Sequence, residues 1–156
     1  MNAIPHARWS RAAAAPRWWL LAPRVLGALA TLAVGAVHLQ QYDKLYSAVP
    51  TIGTLFVLNF VGATVIGVGL LLPLERLAGR FGAAAVGLLA AGGVALAATA
   101  FVFLLVSEHT PLFGFMEPGY DPAAIAASRG AEIATVVLLG TFLATRFLAR
   151  VPMPRW

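Results

Sequence analysis

Apolar residues in this chain fall in long unbroken blocks, without the polar interruptions that mark elements facing water. Blocks over residues 25–46, 51–72, 81–106 and 122–149 each approach or exceed the roughly 20 mostly apolar residues that a helix needs to cross about 30 Å of hydrocarbon. The second and third meet that length unaided. The first is shorter in its apolar core, residues 25–39, and needs residues 18–22 or 40–46 to complete it. The fourth has its apolar core at residues 131–149. A backbone in lipid must satisfy its own hydrogen bonds, so such runs are helices. None alternates with the period of two expected of a barrel strand. The pattern predicts an all-α, polytopic membrane protein: a four-transmembrane-helix bundle over residues 24–150, with an N-terminal tail (1–23) and a short C-terminal tail (151–156).

The connections differ in character. Residues 45–51 read as a tight Ser/Pro turn, and residues 73–80 as a short charged one containing Glu75, Arg76 and Arg80. Residues 107–130 form a longer link. Within it, Asp121 followed by Pro122 has the form of a helix N-cap with proline at the first helical position, so the fourth helix is expected to start there. The stretch T-P-L-F-G-F-M-E-P-G-Y at 110–120 is too apolar for a freely exposed loop. Its Leu112, Phe113, Phe115 and Met116 are expected to anchor in the outer interface or to cap the bundle, as a lid over an outer pocket lined by His38 and Glu132.

Charge supplies an orientation. Arg8, Arg11, Arg17 and Arg24 precede the first block, Arg76 and Arg80 join the second to the third, and Arg146, Arg150 and Arg155 close the chain. Only Lys44 and Arg129 fall on the other side. Arginine and lysine are retained in the cytoplasm, which places both termini inside and predicts a plasma-membrane protein. Trp18, Trp19 and Trp156 stand where aromatic side chains anchor the inner leaflet. The first block has some features of a cleavable leader, with small residues at Gly35 and Ala36. The long segment ahead of it favours an uncleaved first helix.

Composition narrows the chemistry. Charged residues make up 11% of the chain, against about 25% in a soluble domain. The net charge is +5, but the arginines flank apolar runs and do not form a basic face with interleaved aromatics, so no nucleic acid is expected as a partner. With no cysteine, disulfides, thiolate metal sites and dithiol redox chemistry are excluded. There is no phosphate-binding glycine loop, dinucleotide fingerprint, H-E-x-x-H or serine triad.

Small residues at helical spacing suggest where helices meet. Gly27, Thr31 and Gly35 mark one face of the first helix, and Ala83, Gly87, Ala91, Ala95 and Thr99 one face of the third. Gly62, Ala63, Ile66 and Gly67 leave a flat patch on the second.

Polar residues inside a bilayer are costly and become functional candidates. His38 shares the Gly27–Gly35 face and is expected to turn toward the bundle. Asn59 is expected to act as a structural clamp to another helix. Glu132 either pairs with Arg129, three residues before it, or faces the bundle. Glu108 and His109 end the third block. Five of the six acidic residues lie on the outer side, including Asp43, Glu117 and Asp121. The set His38, Tyr42, Glu108, His109 and Glu132 is therefore the candidate outer-face ligand or proton site, suited to a divalent metal, a haem, a quinone or a proton relay.

The run A-V-H-L-Q-Q-Y at 36–42, followed by V-P-T-I-G-T-L-F-V-L-N at 49–59, resembles uncharacterised small four-helix membrane proteins common in actinobacteria. The segments L-F-G-F-M-E at 112–117 and A-E-I-A at 131–134 are similar to the same group. Their general shape resembles the DoxX-like superfamily, some of whose members are quinone-linked oxidoreductase subunits. The resemblance implies a redox-associated membrane subunit.

The first expectation for function is a structural or accessory membrane component without catalysis of its own, in contact with lipid and with a homo-oligomer or larger complex as partner. The second is a cofactor- or ion-binding subunit with its site near the outer face. The third is a transporter or channel formed by an oligomer.

Overall fold

The computed structural model describes residues 18–148, with side chains from Leu21 onward. In chain order the helices are α1 (Trp18–Lys44), α2 (Pro50–Leu71), a single turn α3 (Leu74–Leu77), α4 (Gly82–Ser107) and α5 (Pro122–Leu148). The four long ones are each apolar and long enough to cross a membrane. The molecule is thus an all-α, multi-pass membrane protein, as its apolar blocks predict. The expectations for Arg8, Arg11, Arg17, Arg150, Arg155 and Trp156 lie outside the described residues.

Boundaries depart from expectation in two places. Helix α1 is described from Trp18, ahead of residue 24, and Pro23 sits inside it. Pro23 lies past the first turn, so it removes one hydrogen bond, to the carbonyl four residues earlier, with only the opening turn of the helix ahead of it. The charged link at residues 73–80 is not a bare turn: it folds into α3 and a 3₁₀ turn, Gly79–Phe81. By contrast, Asp121 and Pro122 open α5 as anticipated, the Ala124 amide donating to Asp121 Oδ1 at 3.0 Å.

Successive spans run antiparallel. Arg24 at the start of α1 reaches the end of α2, Gln41 at the end of α1 reaches Asp121 ahead of α5, and Arg146 near the end of α5 donates to the Ala83 carbonyl at the start of α4. Viewed down the bundle, α1 packs between α2 and α5, while α4 closes the ring between α5 and α2. The two ends of the bundle are named here by Arg24 and by Glu117.

At the Arg24 end the interior is apolar and closely packed. Ala28, Leu70, Val86, Ala90, Leu139 and Phe142, drawn from all four long helices, are buried together. Here hydrophobicity gives little drive, because lipid is as apolar as the core, and close backbone approach matters more. A methyl group on Gly35 would stand 2.9 Å from Ala63 Cβ and 3.4 Å from the Phe60 carbonyl oxygen. Gly35 therefore sets how near α1 lies to α2. The stripe predicted on the third span is corrected. Val86, Ala90, Gly93 and Ala97 form the buried face of α4, whereas Ala91, Ala95 and Thr99 are exposed. A repeat of small residues tells which positions permit approach, not which of two such faces meets a neighbour.

Hydroxyls within the spans are satisfied locally. Thr31, Thr54, Thr64, Thr135 and Thr141 each donate to the carbonyl four residues earlier, at 2.7–2.8 Å. They make no demand on other helices. Arg24 does. Its Nε donates to the Leu70 carbonyl and its Nη2 to the Leu72 carbonyl, both at 2.7 Å, while Nη1 meets both Glu75 oxygens at 2.8 and 3.0 Å. The last carbonyls of a helix lack intrahelical donors, and a guanidinium from α1 supplies them for α2.

Candidate functional site

The Glu117 half of the bundle is built differently. There the helices part around a cavity of about 440 Å³, bounded by α1, α2, α4, α5 and the loop before α5. Its walls are mostly apolar, including Val37, Ile52, Leu55, Leu104 and Ile125. Four aromatic rings contribute: Tyr46, Phe56, Phe103 and Phe115. Tyr46 stacks on Phe56 with centroids 4.6 Å apart and meets Phe115 edge-on at 5.5 Å, and His38 tilts against Phe56 at 4.9 Å.

Helix geometry gives their positions. Asn59 and Glu132 lie nine and ten residues from the helix starts at Pro50 and Pro122, hence roughly 13–15 Å along their helices at 1.5 Å per residue. The cavity also opens sideways. Leu58 on α2 is 61% exposed, and it lines the cavity together with the exposed Ala95 and Thr99 of α4. The gap therefore faces lipid, between α2 and α4.

The loop over residues 108–121 forms the roof. Leu112 and Phe115 exchange backbone hydrogen bonds at 2.7 and 3.0 Å around Phe113 and Gly114, both at positive φ. Two positive φ values in a two-residue turn describe a type I′ geometry. Glycine adopts it freely, whereas Phe113 does so under strain. The turn directs Leu112 and Phe115 onto the cavity and leaves Phe113 and Met116 exposed at 58% and 52%. The two expectations for this loop, interfacial anchoring and capping of the bundle, thus fall to different residues of the same turn.

Glu117 locks the roof in place. It is 6% exposed. Tyr46 donates its phenolic O–H to Glu117 Oε2, the Gly119 and Tyr120 amides donate to Oε1 at 2.9 and 3.2 Å, and the Glu117 amide donates to the Ser107 carbonyl at 2.8 Å. Burial first, and then this bond to Glu117, hold the Tyr46 phenol well above its ordinary value. Beside it, Gln41 Nε2 donates to Asp121 Oδ2 at 3.1 Å, with Lys44 Nζ at 3.8 Å from the same oxygen. The Ala124 amide, and next the Gln41 amide, hold Asp121 below its usual range.

The structure divides the predicted site. His38, Asn59 and Glu132 line the cavity. Tyr42 lies outside it, in a shallow groove with Ser47, Pro50 and Thr54. His109 is exposed, its Nδ1 2.9 Å from the Leu105 carbonyl. Glu108 is taken by Arg129, which approaches both carboxylate oxygens. The pairing of Arg129 with Glu132 at helical spacing is therefore replaced by one between helices. Among the described residues, no three His, Asp or Glu side chains converge as a metal site requires.

Glu132 is 1% exposed, and it accepts from Ser128 Oγ through Oε1 at 2.9 Å. Its Oε2 has no partner. Asn59 Oδ1 is likewise buried without one, so the expected clamp to another helix is not made through that atom. His38 Nδ1 lies 2.9 Å from the Val34 carbonyl, which only accepts. The proton is therefore on Nδ1, and a neutral ring offers Nε2 as an acceptor. Sequence reasoning passed over Gln41, Tyr46, Ser107 and Ser128 as cavity residues. The spacing Ser128-x-x-x-Glu132 was a readable signal, since positions four apart share a helix face.

No protein-family model, curated protein or solved structure matches this chain.

Proposed function

We propose that the protein binds an amphiphilic small molecule drawn from the membrane, in a cavity occupying the outer half of the bilayer. The carrying observation is the contrast between the two halves of one bundle. A purely structural component gains by packing both halves alike, because each void forfeits dispersion contacts. Here the Arg24 half is filled, while the Glu117 half keeps about 440 Å³ with two unpartnered buried acceptors on its walls. Ligand pockets have this size and this mixture of apolar wall and few polar groups. The lateral gap beside Leu58 admits a ligand from lipid, and the latched roof keeps water out.

This reading belongs with the cofactor-binding expectation, and the DoxX-like resemblance points the same way. It uses His38, Asn59 and Glu132 and leaves Tyr42, Glu108 and His109 aside. In this reading the termini are cytoplasmic, the roof is outside, and the membrane is the plasma membrane. The protein holds its ligand for presentation to, or exchange with, a partner.

The test is to purify the full chain in mild detergent, extract it with organic solvent, and compare the bound small molecules with those of Ala100→Phe, which fills the cavity wall. Expected is a stoichiometric amphiphile in the native protein and its loss in the variant. Identical extracts, with no ligand above the detergent and bulk-lipid background, would overturn the proposal.

A further inference from the structure

We infer that the cavity selects an amphiphilic organic ammonium, its cationic head held between Glu132 and Asn59 and its tail leaving toward lipid between α2 and α4. This deepens the binding-pocket reading and rests on it.

Three observations converge on the sign of the charge. First, Glu132 is 1% exposed and keeps Oε2 unpartnered on the cavity wall, and Asn59 Oδ1 is unpartnered on the opposite side. Both call for donors. A head group bearing N–H bonds can serve both, and a charged one meets a carboxylate with a stronger bond than a neutral one does. Second, the lining includes the carboxyls of Glu117, Asp121 and Glu132 but neither lysine nor arginine. Arg129, the cation nearest Glu132 along α5, hydrogen-bonds Glu108 and not Glu132. An anionic head would meet the Glu132 carboxylate with no hydrogen-bonded cation beside it, in a medium that screens poorly. Third, Tyr46, Phe56, Phe103 and Phe115 line the same space. Ring faces attract ammonium groups, the more so where water is excluded.

The competing ligands fit less well. A bare metal ion needs several converging donors, and the described residues do not gather three. A quinone offers carbonyl oxygens, which are acceptors and cannot satisfy Glu132 Oε2 or Asn59 Oδ1. The apolar walls and the gap at Leu58, 61% exposed, suit an alkyl tail rather than a compact hydrophilic cation. Ser128 has a positioning role: its hydroxyl donates to Oε1 at 2.9 Å, which occupies that oxygen and leaves Oε2 as the unpartnered one.

The experiment uses the full chain in nanodiscs of zwitterionic phosphatidylcholine, with empty discs subtracted for partitioning. Three probes share a chain and differ only in the head: dodecylamine, dodecanol and dodecanoate. Dodecylammonium is expected to bind at least tenfold more tightly than dodecanol, with dodecanoate weakest. Glu132→Gln, which keeps the side chain's shape, is expected to abolish the preference for the amine over dodecanol. If dodecanol binds as well as or better than the amine, the ammonium assignment falls and the pocket reading stands. If none of the three binds and Ala100→Phe changes nothing, both fall. The native series alone decides between head groups should Glu132→Gln fail to fold.

Discussion

Arg129 on α5 pairs with Glu108 at the end of α4 and not with Glu132, three residues further along its own helix. The two choices differ in consequence. Pairing within α5 would have neutralised Glu132 and sealed the deepest carboxyl of the cavity. Pairing across helices joins α4 to α5 beneath the roof and leaves Glu132, a residue of the cavity wall, with Oε2 buried and without a partner. The interhelical pair is partly exposed, with side chains 36% and 22% accessible. It therefore contributes little to stability by itself, and its larger effect is on which charge the cavity presents.

At the other end, Arg24 should matter more than the carboxylate it meets. Two of its four hydrogen-bonding contacts go to the carbonyls at the end of α2 and two to the Glu75 oxygens, and the Glu75 side chain is substantially exposed, at 41%, where Arg24 is at 10%. Arg24→Gln is expected to destabilise the protein by about 2–3 kcal/mol, because buried carbonyls lose charged donors. Glu75→Gln should cost about 1 kcal/mol or less. Equal losses in thermal or denaturant unfolding in detergent would show the ion pair, and not the capping, to be the main contribution.

Two glycines on similar-looking stripes should respond in opposite ways. Gly35→Ala places a methyl 2.9 Å from Ala63 Cβ and close to α2 backbone, which cannot yield as a side-chain tip can. A loss of about 1–3 kcal/mol is expected from overpacking. Around Gly87 there is nothing within 4 Å of an added Cβ. Gly87→Ala should be neutral or stabilising by up to about 1 kcal/mol, from helix propensity alone. Melting temperatures of the two variants, measured side by side, check this.

The roof should set the limits of pH stability. Tyr46 has its folded value raised above the ordinary 10.0. Its contribution is therefore complete below about pH 10 and is lost as pH rises through the folded value. Asp121 has its value lowered from 3.8. Its contribution is present above that ordinary value and is lost as pH falls through the folded one. Tyr46→Phe is expected to flatten the alkaline arm of a melting-temperature profile and Asp121→Asn the acid arm, each leaving the other arm unchanged. A tyrosinate absorbance titration of the native protein should show a late component that Tyr46→Phe removes.

Topology can be read with single cysteines, because the chain has none of its own. Met116 on the roof and Leu77 on α3 are exposed at 52% and 68%. Met116→Cys should react with a membrane-impermeant maleimide in intact cells, and Leu77→Cys only after permeabilisation. The reverse labelling would invert the orientation and place the cavity in the inner leaflet.

The number, length and helical nature of the spans were legible in the sequence because a bilayer leaves a backbone few choices. An unbroken apolar run of sufficient length has to be a helix, and Asp121-Pro122 marks a helix start by local chemistry alone. His38, Asn59 and Glu132 stood out for the same reason: polar groups are conspicuous where the solvent is hydrocarbon. Lateral pairing was not legible. Whether Arg129 turned to Glu132 or Glu108, which face of α4 went inward, and where the helices parted to leave a cavity all depended on side chains far apart along the chain. In lipid, hydrophobic pattern cannot discriminate between those outcomes, since both faces of a span are apolar. Close packing and the pairing of a few polar atoms decide them, and those become visible only once the four helices stand together.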